Sequence, residues 1–193
     1  MNEPRSVPQI VLRMPGDWSH PREIVERLPP GYRLEPEKFS LPDGTDLDFI
    51  PMPPDGQFPE IFRTSCRRPA TENELTVLDR YSVNIGLTGP GGSLKSALAM
   101  MRAGAAFIQA GAAGVFIDNS ALAHGGADWI AMTDDGGTEA VSFAFVSIIQ
   151  SQSELYTLGM HVLGQPDLLL RVSDVDEEGD MLVDTIRYLC DVD

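Results

Sequence analysis

The segment between Gly92 and Gly111 constrains this chain more than any other. Residues 93–110 are apolar around nearly the whole circumference of a helix. Lys95, Arg102 and Gln109 recur every seven residues as one narrow polar stripe, while Leu94, Leu98, Met101, Phe107 and Ile108 spread around the rest. Seven residues are close to two helical turns, so the three polar groups align, and the remaining surface must be covered by a sheet or another helix. Residues 83–87 before the helix and 114–118 after it read as strands. If those strands run parallel in one sheet, the crossover through the helix is expected to be right-handed.

The first third of the chain has a different texture. Twelve of the fifteen prolines lie within the first 60 residues, which predicts short elements joined by stiff turns. Residues 10–14 read as an opening strand. Ser19 is placed to cap a short helix with Pro21 in its first turn and Ile24, Val25 and Leu28 on its inner face. Residues 39–41 and 47–50 flank a Pro42-Asp-Gly-Thr45 turn and predict a hairpin, with residues 51–56 as a linker-like loop. Thr71 and Glu74 spell a capping box, with Leu75 and Leu78 facing inward. Further on, residues 127–132 read as a helical turn. Residues 140–150 read as a central strand, and residues 155–163 and 168–172 complete an antiparallel meander. Residues 176–189 read as a closing helix that buries Leu182, Ile186 and Leu189.

Composition limits the functional classes. The chain has 193 residues, 14 Lys plus Arg and 29 Asp plus Glu, for a formal charge of −15. Only two lysines occur, Lys38 and Lys95, and no basic residue falls between Arg102 and Arg171. A nucleic-acid partner needs clustered cations to displace counterions, so none is expected. The acidic balance serves solubility and leaves open a basic protein partner or a homo-oligomer. The most apolar stretch, residues 97–117, contains Arg102 and Gln109 and reads as a buried helix leading to a strand, so no membrane association is expected either. Cys66 and Cys190 form no CxxC pair, and residues 1–18 hold no signal-like apolar core. Both features point to a reducing, cytoplasmic setting.

Three local spellings resemble known ligand loops and fail on inspection. Gly86-Leu-Thr-Gly-Pro-Gly-Gly-Ser93 joins a strand to a helix as a phosphate loop does, but Gly92 occupies the lysine position, so a tight structural turn is the simpler account. Asp174-Val-Asp-Glu-Glu-Gly179 imitates half a calcium loop, yet its twelfth position is Thr185, which offers no bidentate carboxylate. Arg67 and Arg68 beside Cys66 fit a surface arginine pair and a packed thiol better than an activated one. No cofactor site is therefore assigned.

The densest group of chemically able side chains lies between Asp118 and Trp129. It comprises Asp118, Asn119, Ser120, His124, Asp128 and Trp129, and His161 joins it if the meander lies alongside. On a helix, His124 and Asp128 would sit one turn apart, a spacing suited to a hydrogen-bonded pair or half a metal site. A serine relay through Ser120, His124 and Asp128 is conceivable, but no nucleophile-elbow spelling accompanies it. The alternative is structural, because short polar residues after a strand commonly bond the backbone.

Two further motifs carry a family likeness. Gly111-Ala-Ala-Gly-Val-Phe-Ile-Asp118, preceded by the alanine-rich helix, and Thr157-Leu-Gly-Met-His-Val-Leu-Gly-Gln-Pro-Asp-Leu168 resemble a family of bacterial domains, the one numbered 4261 among domains of unknown function. The likeness covers residues 86–172. It implies a compact α+β domain and carries no activity, ligand or catalytic residue to transfer.

The expectation is a single α+β domain over residues 1–193, with a proline-rich hairpin region at 1–60 and a main core at 83–193. Its mixed or antiparallel sheet would carry a C-terminal meander, one long buried helix and a C-terminal helix packed on the core. Functionally, the chain reads as a cytosolic bacterial binding or regulatory module without catalytic activity. The alternative is a metal-dependent or hydrolase-like enzyme using the 118–128 loop with His161, where His124 is base or ligand, Asp128 its orienting partner and Asp118 a second carboxylate.

Overall fold

The computed structural model describes residues 7–171 and 178–191, and it has an α+β fold. Strand β1 (Gln9–Gly16) is followed by helix α1 (Pro21–Arg27), then β2 (Arg33–Glu35), β3 (Lys38–Ser40) and β4 (Asp46–Met52). Helices α2 (Phe58–Ser65) and α3 (Glu72–Arg80) lead to β5 (Val83–Pro90), the long helix α4 (Leu94–Gln109), β6 (Gly114–Ile117) and β7 (Leu122–Gly125). These strands form one seven-stranded sheet in the order β2-β3-β4-β5-β1-β6-β7, with every neighbouring pair antiparallel. Because β1 pairs antiparallel with both β5 and β6, those two strands run parallel to each other with β1 between them. The crossover through α4 thus joins parallel strands, one strand apart.

The two faces of the sheet bury different cores. Ile10, Leu12 and Met14 of β1, Ile85 and Leu87 of β5, and Val115 and Ile117 of β6 alternate onto the side covered by α4. There Phe107 of α4 packs on Phe39 and Phe49, with ring centroids 4.7 and 6.1 Å apart. Lys95, Arg102 and Gln109 are the three exposed positions of α4, as the stripe predicts. Phe116 alternates to the opposite face and joins Phe58, Phe62, Leu78 and Tyr81 under α2 and α3. Burying such side chains contributes roughly 1.5–3 kcal/mol each, so the α4 face carries most of the stabilisation.

Helices α5 (Gly126–Asp135) and α6 (Thr138–Phe145) then pack beside α4. A small antiparallel sheet, β8 (Ser147–Gln150), β9 (Glu154–Leu158) and β10 (Leu169–Arg171), follows, with a 3-10 turn at Met160–Leu163. Helix α7 (Glu178–Asp191) closes on α6, burying Leu182 and Ile186. The first core draws residues from Ile10 through Cys190, so the proline-rich segment shares it.

The meander is a separate sheet and does not extend the main one. The expected central strand over residues 140–150 is instead helix α6 followed by β8. Its run Ala140-Val-Ser-Phe-Ala-Phe145 is apolar on every side, a pattern that a buried helix satisfies as well as a buried strand. The start of α1 also shifts by one residue. His20 is the N-cap, its Nδ1 accepting from the Arg22 amide at 3.1 Å, while Ser19 bonds Glu23. Helix α2 and strands β2 and β7 have no counterpart in the sequence analysis. The half calcium loop at 174–179 lies largely outside the described residues.

Candidate functional site

Glu74 organises the region that the sequence singles out. The capping box forms as spelled: the Thr71 hydroxyl accepts from the Glu74 amide, and the Glu74 carboxylate accepts from the Thr71 amide at 2.7 Å. The other oxygen of that carboxylate accepts from the Ala127 amide at 2.7 Å, in the first turn of α5. One side chain therefore holds the starts of two helices. Gly125 makes this contact feasible, since a Cβ there would lie 2.5 Å from a Glu74 oxygen.

The candidate residues around it have separate partners. Asp118 forms a two-pronged ion pair with Arg13, at 2.7 and 2.8 Å, which raises the Arg13 pKa further. Asn119 bonds the β1 backbone twice, accepting from the Val11 amide at 3.0 Å and donating to the Gln9 carbonyl at 2.9 Å. It stitches the loop to the strand. Trp129 is fully buried and donates its indole N–H to the Met101 carbonyl at 2.9 Å, tying α5 to α4. His161 is exposed on the 3-10 turn, with Nδ1 at 3.4 Å from Asp167.

His124 lies on β7, not on a helix with Asp128, because α5 starts two residues later. The imidazole is fully buried beside Trp129 and Phe143, and its Nε2–H donates to the Ala144 carbonyl at 2.9 Å. Burial pushes its pKa down to about 4, against the opposing pull of that carbonyl, so the ring is neutral at ordinary pH. Asp128 accepts from Arg68 at 2.9 Å through Oδ1. Ser120 Oγ, His124 Nδ1 and Asp128 Oδ2 are buried without a hydrogen-bond partner, so they do not bond one another and no Ser–His–Asp relay exists. Among the described residues, no three His, Cys, Asp or Glu side chains gather in a way that could hold a metal ion.

Two other motifs resolve as structural. Arg67 is more buried than a surface arginine, donating to the Phe143 and Val146 carbonyls at 2.6 and 2.5 Å and so closing the end of α6. Its guanidinium lies 4.4 Å from the Phe143 ring centroid, and that of Arg68 lies 5.1 Å away. The Cys66 thiol is pushed up to about 11 by burial and by the nearby Glu74 and Asp128, which leaves it protonated and unreactive. In the glycine-rich turn the amides are already committed. Gly91 donates to the Pro8 carbonyl and Gly92, at φ 82°, to the Val162 carbonyl, both at 2.7 Å. Those amides are not available to a phosphate.

A large apolar hollow lies elsewhere among the described residues, in the proline-rich first third of the chain. A cavity of about 530 Å³ opens between α1 and the β2–β3 hairpin. Its floor is Phe49 and Pro51 of β4 with Val83 and Ile85 of β5. Ile24, Val25 and Trp18 form one wall, and Leu34, Glu35 and Pro36 form the other. The volume falls in the range of small-molecule sites, roughly 300–1,000 Å³, and the lining is largely apolar, as such sites are. A separate hollow of about 90 Å³ beneath α7 is far smaller.

Sequence reasoning misses this cavity. Ile24 and Val25 are adjacent, and neighbours on a helix diverge by about 100°. The sequence analysis places both on the inner face of α1. In the fold Ile24 is buried while Val25 is 52% exposed at the cavity mouth.

Comparison with known proteins supplies no relative to set beside this geometry: no family model, no curated protein and no solved structure matches the chain. Among the described residues no helix is long and apolar enough to cross a membrane.

Proposed function

We propose that this chain is a binding or regulatory module that works by holding a ligand in the cavity between α1 and the β2–β3 hairpin. One observation carries the reading: about 530 Å³ of apolar space, walled by Trp18, Ile24, Leu34 and Phe49, stands open on the face that otherwise packs against α4. Unfilled apolar space forfeits dispersion contacts, and a ligand would restore them. The two-cysteine composition supports a reducing, cytosolic setting.

A thermal-shift titration with octan-1-ol tests this. A ligand at about 100 times its Kd stabilises by roughly 2.7 kcal/mol, equivalent to about 5–10 °C for a chain of this size. Val25→Trp places an indole across the mouth at a position that is already half open, and it should abolish the shift while leaving the fold intact. A native chain that shows no shift, or a variant that shifts equally, would remove the proposal.

A second reading, an enzyme built on the 118–128 loop with His161, rests on the three unpartnered buried atoms of Ser120, His124 and Asp128. Its readout is a divalent-metal or metabolite shift present in the native chain and absent from His124→Ala.

A further inference from the structure

The polar groups around the cavity are not equally available, and their accounting restricts what can enter. Three that reach the lining are already used. The Trp18 indole N–H donates to the Ala110 carbonyl at 2.8 Å. Ser82 Oγ accepts from the Trp18 amide at 2.9 Å and donates to the Trp18 carbonyl at 2.6 Å. The Ser19 hydroxyl donates to Glu23. A ligand's inner portion therefore finds aromatic faces and aliphatic walls and no uncommitted polar side chain, which favours hydrocarbon there.

Two lining groups keep capacity. His20 Nδ1 accepts from the Arg22 amide, which fixes the tautomer and leaves Nε2–H as a donor without a partner among the described residues. Glu35 is exposed, and among the described residues its one ion-pair partner, Lys38, stands 3.9 Å away at the edge of contact. No Lys or Arg is among the lining residues. The site is thus built with one donor, one carboxylate and no counter-charge for an anion.

Resting on the proposed cavity reading, we infer that the ligand class is an amphiphile with a hydrocarbon body and a single neutral or cationic head, an alcohol or an amine, and that carboxylate or phosphate heads are excluded. The head sits at the mouth, accepting from His20 Nε2–H or donating to Glu35, and the body fills the space over Phe49 and Ile85. The overall charge of −15 favours cationic over anionic ligands in the same direction.

Isothermal titration of octan-1-ol, octylammonium and octanoate at pH 7 isolates the head from the body. The native chain is expected to bind octylammonium and octan-1-ol, with octanoate at least about threefold to tenfold weaker than octylammonium, the effect of one partly exposed charge. Glu35→Lys should invert the order of octylammonium and octanoate and leave octan-1-ol unchanged, while Val25→Trp should weaken all three. If octanoate matches octylammonium on the native chain, or if Glu35→Lys leaves their order intact, the inference about the head is wrong although the cavity still binds. If none of the three binds the native chain, or if Val25→Trp changes no affinity, the cavity reading fails and takes the inference with it.

Discussion

Removing the Glu74 carboxylate should destabilise the protein more than any ordinary helix cap, because it satisfies two helix starts at once. Each of its bonds, to the Thr71 and Ala127 amides, is 2.7 Å long and charge-assisted. A helix cap is typically worth about 1 kcal/mol, and a hydrogen bond to a charged group about 1.5–3 kcal/mol. Discounting for partial exposure, Glu74→Ala should cost about 3 kcal/mol, or roughly 6–12 °C in Tm. Thr71→Ala breaks only its own half of the α3 box and should cost about 1 kcal/mol. Glu74→Gln keeps one acceptor oxygen and should fall between the two. Urea unfolding of the three variants at pH 7 gives the comparison, with the m-value unchanged if only stability moves. The geometry makes a second demand. Gly125→Ala places a Cβ 2.5 Å from a Glu74 oxygen, so its cost should shrink when Glu74 is already Ala, a coupling that a double-mutant cycle reads directly. A Glu74→Ala cost no greater than that of Thr71→Ala, or additive Gly125 and Glu74 effects, would refute the shared-cap argument.

Three further outcomes follow from the same residues. His124 titrates at about 4 when folded against an ordinary 6.5, so its contribution is complete above pH 6.5 and lost as the pH falls to 4, about 3 kcal/mol in all; the stability gap between native chain and His124→Gln should narrow by that amount from pH 7 to pH 4, and a constant gap would show that burial does not hold the ring neutral. Cys66, raised to about 11, should react with a thiol reagent far more slowly at pH 8 than a free cysteine and gain rate as the pH approaches 11; rapid modification of the native chain at pH 8 would contradict this. Glu37 sits at φ 66° beside Pro36 in the two-residue β2–β3 turn, where glycine is preferred, so Glu37→Gly should stabilise by about 0.5–1 kcal/mol in chemical denaturation; a loss of stability would mean that the Glu37 side chain offsets its backbone strain.

How far the sequence exposed this fold depended on the range of the interaction concerned. Helix α4 was legible because its polar stripe recurs at helical spacing, and the Thr71–Glu74 box was legible because both partners lie within one turn. The second role of Glu74, on the Ala127 amide, spans 53 positions and leaves no periodic trace. The same holds for β1, whose place between β5 and β6 is a long-range pairing. Residues 140–145 misled for a different reason: a run that is apolar on every side has no period to read. At the candidate loop, composition flagged Asp118 through Trp129 correctly as crowded with polar chemistry. The partners that hold these side chains, Arg13 for Asp118, the β1 backbone for Asn119 and the Ala144 carbonyl for His124, are distant in sequence and leave no local trace.

The cavity was beyond a reading of motifs, because empty space has no residue pattern of its own, but its cause is visible in the proline bias. Pro21, Pro36 and Pro51 line the cavity, on α1, in the β2–β3 turn and on β4 respectively. Each fixes φ and removes a donor, so the first turn of α1, the β2–β3 turn and the end of β4 cannot readily relax inward. Helix α1, at seven residues, is too short to cover the end of β4 and the start of β5 that form the cavity floor. Trp18 is tied to the end of α4 through the Ala110 carbonyl, which holds that wall in place. Stiff short elements around a rigid floor thus keep a hollow that flexible side chains would otherwise close. A preformed hollow also spares a ligand much of the ordering cost of binding, and that saving is what the proposed cavity reading draws on.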